Sequence, residues 1–365
     1  MKSVFLQKVA RVLARKMDAF VGGMLFDIEA TLDSLVQRPF ELHLELTNYC
    51  NANCVFCPYQ FQERPKEIMT DEVFLRAVRD FVSLRGGSVG LTPIVGDALI
   101  DPKFLDRVRY LRTFSEIDRI FLTTNAILLD RFGIEKVLKA GINAINISTS
   151  GFNRDNYVKI YRSQSYERMK NNVTALVEEN ARLGYPIDIS IGLRTDRPLS
   201  EVMRDPDFQP ILKHKPAIDF TWSFTSAGGR ITKQQLPASM KLRLAPPKTE
   251  PCVNLYNGPI VLPNGDVLGC SCVAAMDAIP DLLIGNIMNS SLLDIWTSDL
   301  LRTLRDQFRP GLCKMNKTCA SCEMYRDLEL YRTKEGRIRA QLNQRRLAGE
   351  QVNRSEPPKG IFSGG

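Results

Sequence analysis

The sequence predicts an α/β fold in which a parallel sheet is followed by a small cysteine-rich domain. Two observations support this. Strand-like segments alternate with helical ones between residues 41 and 224, and nine cysteines fall into two groups far apart in the chain. Strands that alternate with helices are typical of a parallel sheet with helical crossovers. The alternation alone fits both a doubly wound sheet and a barrel.

Six segments have the composition of strands. The first, ELHLELT, starts at residue 41 and places Leu42, Leu44 and Leu46 on one face. The other five lie at 88–95, 119–125, 142–149, 187–193 and 218–224. Helices are predicted between them at 70–84, 103–113, 130–140, 154–183 and 199–213. No G-x-G-x-x-G follows the first strand, which argues against a dinucleotide-binding sheet.

Composition shifts divide the chain into five parts. Apolar residues at helical spacing predict N-terminal amphipathic helices at 1–40, before the strand–helix core at 41–228. A segment rich in Gly, Pro and Lys predicts a linker at 229–251. The second group of cysteines defines a domain at 252–327, and the polar remainder, 328–365, predicts a helix and a flexible tail.

The overall composition is that of a soluble globular protein. Hydrophobic residues make up 44% and charged residues 25% of the 365 positions, and no apolar run approaches the ~18 residues of a membrane span. Basic residues interrupt the N-terminal apolar segment, so we expect no signal peptide and a cytoplasmic location. The net charge of +8 comes without a nucleic-acid motif, so we expect no nucleic-acid partner. Contact of the N-terminal helix with a membrane surface is an alternative to its packing on the core.

Three cysteines, Cys50, Cys54 and Cys57, lie within eight positions just after the first strand. Thiols stay reduced in the cytoplasm, so this cluster indicates metal binding or catalysis rather than disulfides. Structural zinc takes four ligands, usually as two separated pairs. Three thiolates on one loop could instead hold three irons of a [4Fe–4S] cluster and leave the fourth iron open for chemistry.

The pattern Cys50-x3-Cys54-x2-Cys57, with Phe56 before the third cysteine, resembles the signature of radical S-adenosylmethionine (radical SAM) enzymes. The resemblance extends over most of residues 41–325. It implies a partial (β/α)6 TIM-like barrel and a [4Fe–4S] cluster, bound by the three cysteines, whose open iron binds SAM. It also implies that an electron from the cluster cleaves SAM to methionine and a 5′-deoxyadenosyl radical, which abstracts a hydrogen from the substrate.

The resemblance supplies candidate SAM-binding residues at successive strand ends. VGDALIDP is similar to the GGEP segment after the second strand, with Gly96 and Asp97 at the Gly-Glu positions. LTTNAILL is similar to the TNG turn after the third strand and retains Asn125. ISTSGFNRDNYVKIYR places Ser148 and Arg162 at the family's SAM-binding serine and arginine. The full candidate set is Phe56, Gly96, Asp97, Asn125, Ser148, Arg162 and Arg194.

The second group of cysteines resembles a SPASM domain or its shorter twitch form, which hold auxiliary iron–sulfur clusters. The matching features are a hairpin that turns at Asn264-Gly265, the run LIGNIMNSSLLDIW, and a closing C-x2-C pair. Six cysteines rather than seven favour one auxiliary [4Fe–4S] cluster, with a second still open. The expected ligands are Cys252, Cys270, Cys319 and Cys322. Cys272 could replace Cys270, Cys313 could replace Cys319, and a four-cysteine zinc site is the competing interpretation.

These resemblances predict a radical SAM enzyme that oxidises or epimerises a small polar substrate, such as a sugar, an aminocyclitol or a nucleotide. An electron donor such as flavodoxin or ferredoxin would reduce it. An epimerase needs a hydrogen donor, for which Cys272 is the candidate. Modification of a peptide or protein is the alternative, which the short helical N-terminal segment disfavours. A non-enzymatic iron–sulfur or zinc scaffold is the third hypothesis.

Overall fold

The computed structural model describes residues 13, 17, 28–92, 94–237, 239–270, 279–309 and 313–350. Its strands are β1 (Glu41–Leu44), β2 (Gly87–Leu91), β3 (Ile117–Thr124), β4 (Ala144–Thr149), β5 (Asp188–Arg194), β6 (Ala217–Thr221), β7 (Ser223–Phe224), β8 (Lys241–Leu242), β9 (Ile260–Val261), β10 (Asp266–Leu268) and β11 (Leu283–Asn286).

The helices of the core follow these strands. They are α1 (Ile28–Gln37), α2 (Asp71–Ser83), α3 (Phe104–Arg112), α4 (Leu129–Phe132), α5 (Ile134–Lys139), α6 (Arg154–Tyr161), α7 (Tyr166–Arg182), α8 (Leu199–Val202) and α9 (Gln209–Leu212). The C-terminal helices are α10 (Asn254–Asn257), α11 (Ile279–Leu282), α12 (Leu292–Trp296), α13 (Asp299–Asp306), α14 (Lys317–Ser321), α15 (Glu329–Arg332) and α16 (Lys334–Leu347).

Nine strands form one sheet in the order β11-β10-β9-β1-β2-β3-β4-β5-β6. The strands β1 to β6 are parallel and lie in chain order. A doubly wound sheet would reverse this order at a switch point, so the arrangement is that of the predicted partial barrel. The hairpin of β9 and β10 turns at Asn264-Gly265 as predicted. It extends the sheet because β9 pairs with β1, which the sequence did not indicate.

The two faces of the sheet differ in polarity. In β4 and β5 one face carries Ile145, Ile147, Ile191 and Leu193, all buried. The helices α6 and α7 follow β4 and expose one polar side, so their apolar sides cover this face. The opposite face carries small and polar residues: Asn146, Ser148, Ser190, Gly192 and Arg194. The barrel therefore encloses a polar interior.

Two helices are shorter than predicted. The predicted helix 154–183 is two helices, because Arg162 adopts a left-handed conformation (φ 49°) that ends α6. The predicted helix 199–213 is broken into α8, a single 3-10 turn and α9. Pro206 begins that turn, and proline cannot supply the backbone N–H of a continuous helix.

The C-terminal helix α16 closes the barrel at the N-terminal ends of the strands. Arg339 forms an ion pair with Glu41 at the start of β1 (3.3 Å), and Arg346 forms one with Asp118 on β3. Asn343 accepts a hydrogen bond from Arg38 (2.9 Å), just after α1. The helix that makes these contacts lies within the segment 328–365. The contacts leave the C-terminal ends of the strands free for a site.

The segment between the two cysteine regions folds against the protein. Its strand β8 pairs with β7, and its apolar residues Ile231, Leu236 and Met240 are buried. Of the predicted N-terminal helices, only α1 lies within the continuously described residues. In the described part of the chain, no helix combines the length and apolar character needed to cross a bilayer.

Candidate active site

The three cysteines of the loop after β1 converge. Cys54 is buried, Cys50 and Cys57 are half-buried, and all three are free thiols. Burial and, to a lesser extent, the nearby carboxylate of Asp97 raise the pKa of Cys50 to about 12. Burial also raises the pKa of Cys54, and the charges of the other two thiols add to this effect. A metal must therefore displace these protons when it binds.

The cysteine loop is anchored by its backbone to the end of helix α6. The N–H groups of Asn53 and Val55 donate to the carbonyls of the last two residues of α6, at 3.1 and 2.9 Å. N–H groups also lie near two of the sulfurs. The backbone nitrogen of Tyr59 lies 3.5 Å from the Sγ of Cys57, and the side-chain nitrogen of Asn125 lies 3.9 Å from the Sγ of Cys50. Such donors stabilise thiolates, whose charge they partly offset.

Gly96 at the end of β2 packs directly on the cysteine loop. A Cβ at this position would lie 2.2 Å from the carbonyl oxygen of Thr47, and its φ of 85° is one that glycine adopts without strain. The N–H of the next residue, Asp97, donates to the carbonyl of Tyr49 (2.9 Å). The position predicted for SAM binding therefore also fixes the loop that carries the cysteines.

The carboxylate of Asp97 is buried and forms hydrogen bonds within the protein. It accepts hydrogen bonds from the Thr124 hydroxyl and the Asn125 N–H (both 2.8 Å) and from the Leu99 N–H (3.1 Å). Burial raises the pKa of Asp97, and these hydrogen bonds oppose the rise. Asp97 thus joins the ends of β2 and β3, and only 2% of it is exposed.

Asn125 extends from the end of β3 to the cysteine loop. Its side-chain Nδ2 donates to the Oδ1 of Asn51 at 2.6 Å and lies 3.9 Å from the Sγ of Cys50. The second and third strand ends therefore meet at the first cysteine, as parallel strands that end at the same edge allow.

The fourth and fifth strands contribute a serine and an arginine. The Ser148 hydroxyl lies 2.7 Å from the hydroxyl of Tyr161, and Arg194 donates to the carbonyl of Gly192 at 3.2 Å. A Cβ on Gly192 would lie 2.6 Å from the guanidinium of Arg194, so the glycine makes room for it. The Oδ1 atom of the neighbouring Asn146 is buried without a hydrogen-bond partner and is a free acceptor in the barrel interior.

The positive charge of Arg194 acts on two of the cysteines, Cys54 and Cys57. Burial raises the pKa of Cys54 and Cys57, and the positive charge of Arg194 opposes that rise at both. Burial likewise raises the pKa of Tyr161, with the same opposition from Arg194. A cation here favours thiolate over thiol and would attract an anionic ligand.

Phe56 lies in an aromatic group beside the loop. Its ring stacks on Phe224 (centroids 4.9 Å apart) and meets Tyr161 edge to face (5.6 Å). Tyr161 in turn stacks on Tyr157 at 5.1 Å. These rings fix the conformation of the loop between the second and third cysteines.

Ser148 and Arg162, which the sequence predicts as a serine and an arginine that bind SAM together, contact different residues in the structure. The side chain of Arg162 is exposed and donates to the Oε1 of Gln60 at 3.2 Å. It lines an open cavity of about 440 Å³ on the outer side of the loop, together with Cys50 and Lys66. The left-handed conformation at Arg162 turns its side chain in this direction.

Four cysteines of the C-terminal region line one small cavity. They are Cys252, Cys270, Cys319 and Cys322, and each is at most 8% exposed. Burial raises the pKa of Cys319 to about 12, and the charges of Cys252 and Cys322 add to the effect. Asn316 caps helix α14 by accepting from the N–H of Cys319 (2.7 Å), which places the closing C-x2-C pair.

Of the two remaining cysteines, Cys313 lies within the described residues and does not line this cavity. Cys313 is exposed, and its Sγ lies 3.8 Å from the carbonyl of Thr303. Cys272 lies outside the described residues, so its predicted role as hydrogen donor stays a prediction.

Two charged residues, Arg243 and Glu323, form hydrogen bonds with the segment that follows β6. Arg243 donates to the Ser223 carbonyl (3.1 Å), and Glu323, directly after Cys322, accepts from the Ser226 N–H (2.6 Å). Burial lowers the pKa of Arg243, Glu323 opposes this, and Arg194 adds to it. Arg243 is therefore within electrostatic range of Arg194 in the barrel and of two carboxylates, Glu323 beside the second group of cysteines and Asp219 on β6.

Several of these residues were missed from the sequence. Alternation in AINIST and DISIGLR could have identified Asn146 and Ser190 as interior residues. Tyr161 precedes Arg162 in the quoted segment but carried no separate signal. Arg243 and Glu323 come near Arg194 only through folding of the segment after β6, which no local pattern predicts.

Two family models match the chain. A model described as the radical SAM superfamily matches residues 44–205, and one described as an iron–sulfur cluster-binding domain, SPASM, matches residues 252–323. Residues 44–205 therefore form a radical SAM domain, which is followed by a SPASM domain at residues 252–323, as the cysteine spacing predicted.

Curated relatives match part of the chain. GTP 3′,8-cyclase of Clostridium perfringens is 28% identical over 147 residues, which are 39% of this chain and 44% of the relative. Molybdenum cofactor biosynthesis protein 1 of Drosophila melanogaster is 28% identical over 188 residues, 50% of this chain and 31% of the relative. The matches span less than half the length of either relative.

Solved structures share the fold. SuiB of Streptococcus suis bound to its precursor peptide SuiA has a TM-score of 0.55 at 16% identity, covering 79% of this chain and 70% of that one. BtrN in complex with AdoMet and 2-DOIA has a TM-score of 0.51 at 15% identity, covering 75% and 88%. Native anSMEcpe with bound AdoMet has a TM-score of 0.52 at 14% identity, covering 85% and 99%.

The cofactors of this family are [4Fe–4S] clusters and SAM, and the donor sets fit them. In the described part of the chain, no three Cys, His, Asp or Glu side chains are close enough to share a single metal ion. A [4Fe–4S] cluster instead accepts each thiolate on a separate iron. Three thiols at the barrel mouth and four thiols in the second cavity supply such ligands.

Proposed function

We propose that the protein reductively cleaves SAM and uses the resulting 5′-deoxyadenosyl radical to abstract a hydrogen from a small polar substrate. The substrate is a sugar, an aminocyclitol or a nucleotide-like molecule, and the outcome is oxidation or epimerisation. The observation that carries the proposal is the contact of the strand-end residue Asn125 with the loop that bears the three cysteines.

In this proposal Cys50, Cys54 and Cys57 hold the first cluster, which supplies the electron that cleaves SAM. SAM is held by the backbone after β2 at Gly96, by Asn125, and by the remaining candidates Phe56, Ser148, Arg162 and Arg194. Asp97 acts as a positioning residue, since its carboxylate is occupied by Thr124 and the backbone. For Arg162 to reach SAM, its side chain would have to leave Gln60.

The charged residues around Arg243 support a small polar substrate. The charge of Arg194 acts on Arg243, and the carboxylates of Glu323 and Asp219 are also near Arg243. Such a set can pair with phosphate or carboxylate groups and hydrogen-bond hydroxyls. The relatives named GTP 3′,8-cyclase and the fold neighbour solved with 2-DOIA are consistent with this class of ligand.

The second cavity supports the oxidative outcome. We propose that Cys252, Cys270, Cys319 and Cys322 hold one auxiliary [4Fe–4S] cluster. In the oxidation, hydrogen abstraction breaks a C–H bond of an alcohol. The hydroxyl proton then passes to solvent and one electron passes to the auxiliary cluster, which leaves a ketone. In an epimerisation, Cys272 would return a hydrogen atom to the opposite face of the carbon.

Peptide modification is the second candidate function. The fold likeness to SuiB, solved with its precursor peptide, supports it. The two candidates differ in substrate size, and both require SAM cleavage. A non-enzymatic scaffold would not cleave SAM.

The decisive experiment is an anaerobic assay of the reconstituted protein with SAM and dithionite. We expect 5′-deoxyadenosine, and we expect none from the Cys54→Ala variant. Candidate substrates labelled with deuterium are then tested for transfer of the label into 5′-deoxyadenosine. If the wild-type protein loaded with iron forms no 5′-deoxyadenosine, the proposal is wrong. Transfer from a peptide only would favour the second candidate.

A further inference from the structure

We propose that the outer side of the cysteine loop is the docking surface for an acidic protein that donates single electrons. We call it the donor face and define it by Tyr49, Tyr59, Gln62 and Lys66. The inference rests on the proposed function, because only a reducible cluster needs an electron donor. It adds the place of docking and the charge of the partner.

The donor face surrounds an open cavity that reaches the first cysteine. The cavity has a volume of about 440 Å³ and is lined by Cys50, Asn51, Ala52, Asn53, Tyr59, Gln60, Gln62, Lys66 and Arg162. Asn125 and Phe56 are not part of its lining, although Asn125 contacts two residues that are, Asn51 and Cys50. The cavity therefore reaches the first cysteine without including the residues at the strand ends.

Tyr59 connects this surface to two of the cysteines. Its hydroxyl donates to the backbone carbonyl of Cys50 at 3.2 Å, and its N–H lies 3.5 Å from the Sγ of Cys57. The ring of the same residue lies under the ammonium group of Lys66, 5.5 Å from the centroid. A single residue thus lies between a surface cation and the cysteines. Electron transfer weakens steeply with distance, so a donor gains most by docking here.

The charge of the donor face is positive. Its cavity is lined by two cations, Lys66 and Arg162, and by no carboxylate. Among the described residues, no carboxylate lies within ion-pair distance of either cation. Of the two acids nearest to Lys66 in the sequence, Glu67 is half-buried and Glu63 pairs with Arg230 at 3.4 Å. Lys66 is therefore available to an acidic partner, whose approach its charge would accelerate.

Aromatic rings complete the surface. Lys66 also lies 5.9 Å from the ring of Tyr49, which is 37% exposed. Tyrosine gives contact area at low entropic cost and is enriched at protein interfaces. A small interface with a charged rim suits a transient redox encounter, which typically buries under about 1,200 Å². The same interface should weaken as salt screens the charges.

The test compares two reductants on the reconstituted full chain. Reduced flavodoxin, an acidic protein, must dock, whereas dithionite needs no docking surface. We expect Lys66→Glu to lower the flavodoxin-driven rate of 5′-deoxyadenosine formation by about tenfold at limiting flavodoxin. The dithionite-driven rate and the iron content should stay unchanged. Lys136→Glu, an equal charge change on an exposed lysine of helix α5, should alter neither rate.

Salt and a conservative variant complete the test. The wild-type flavodoxin-driven rate should fall with ionic strength, Lys66→Glu should lose that dependence, and Lys66→Arg should retain the wild-type rate. Equal loss with both reductants would overturn the inference, because the residue would then serve SAM or the cluster itself. So would equal effects of Lys66→Glu and Lys136→Glu. A wild-type protein inactive with dithionite would instead refute the proposed function.

Discussion

The side-chain amide of Asn125, at the end of the third strand, lies 3.9 Å from the sulfur of Cys50 in the loop after the first strand. The backbone N–H of the same asparagine donates to Asp97, at the end of the second strand. Three consecutive strands are thereby joined at one point. The position of the first cysteine depends on buried hydrogen bonds that lie outside its own loop, which makes them testable.

Asp97→Asn should loosen this junction without changing its size. An amide offers one acceptor oxygen where the carboxylate offers two, so a buried N–H group of Leu99 or Asn125 loses its acceptor. We expect the free energy of unfolding of the apoprotein to fall by about 1–3 kcal/mol. We also expect weaker SAM binding by the reconstituted variant. Urea denaturation and equilibrium dialysis with labelled SAM measure the two effects.

Asp106→Asn is the matched control for that variant. Asp106 is exposed and pairs only with Arg109 one turn along helix α3. Exposed pairs of this kind contribute at most about 1 kcal/mol, so SAM binding should be unchanged. Wild-type SAM affinity in Asp97→Asn would show that its carboxylate does not position the site.

Gly96→Ala should displace the cysteine loop. Both Gly96 and Gly229 have positive φ, 85° and 91°, so alanine at either position is strained by roughly 1–2 kcal/mol. Only at Gly96 would the new Cβ also meet a backbone oxygen, that of Thr47, at 2.2 Å. At Gly229 nothing lies within 4 Å. We therefore expect Gly96→Ala to lose iron at the first site and Gly229→Ala to retain it, measured by iron and sulfide content after reconstitution. Equal iron content would refute the role of close packing.

The strands could be predicted from the sequence because their signal is local. The predicted segments 119–125, 142–149 and 187–193 lie within two residues of β3, β4 and β5 at each end. The pairing of distant strands and the backbone conformation of single residues could not be predicted from the sequence. Nothing in GPIVLPNG indicates that β9 pairs with β1, and nothing in a helical period shows that Arg162 will be left-handed.

The candidate site was predictable where topology alone brings residues together. Parallel strands end at one edge, so Asn125 and the segment at Gly96 had to lie near the cysteine loop. The direction of a side chain was not predictable in this way. Asp97 turns into the protein and Arg162 turns to the outer side of the loop, because of a buried hydrogen-bond network and a helix end respectively.

Two cysteines of the C-terminal region, one lining the second cavity and one exposed, should differ in their contribution to iron binding. Cys319 lines the second cavity and Cys313 is exposed. Two [4Fe–4S] clusters amount to about eight irons per chain. We expect Cys319→Ala to bind about four irons and Cys313→Ala to bind about eight. Iron quantitation on anaerobically reconstituted protein measures this. Four irons in the wild-type protein would show that the second cavity holds no cluster.

The stability of the docked C-terminal helix should depend on pH through Glu41. Burial alone would raise the pKa of Glu41, but Arg339 and His43 outweigh it and hold the pKa below its ordinary value of 4.5. A carboxylate whose pKa is lower in the folded than in the unfolded protein contributes stability above the unfolded pKa, and that stability is lost as the pH falls through the folded pKa.

Breaking a buried pair costs about 3–5 kcal/mol, so Arg339→Met should lower the free energy of unfolding of the apoprotein near neutral pH. The difference from wild type should shrink as the pH falls below 4.5 and through the lowered pKa of Glu41, where this carboxylate becomes protonated. Arg345→Met, on an exposed side of the same helix, should show neither effect in urea denaturation at each pH. A constant difference across this pH range would mean that Glu41 is not the titrating partner.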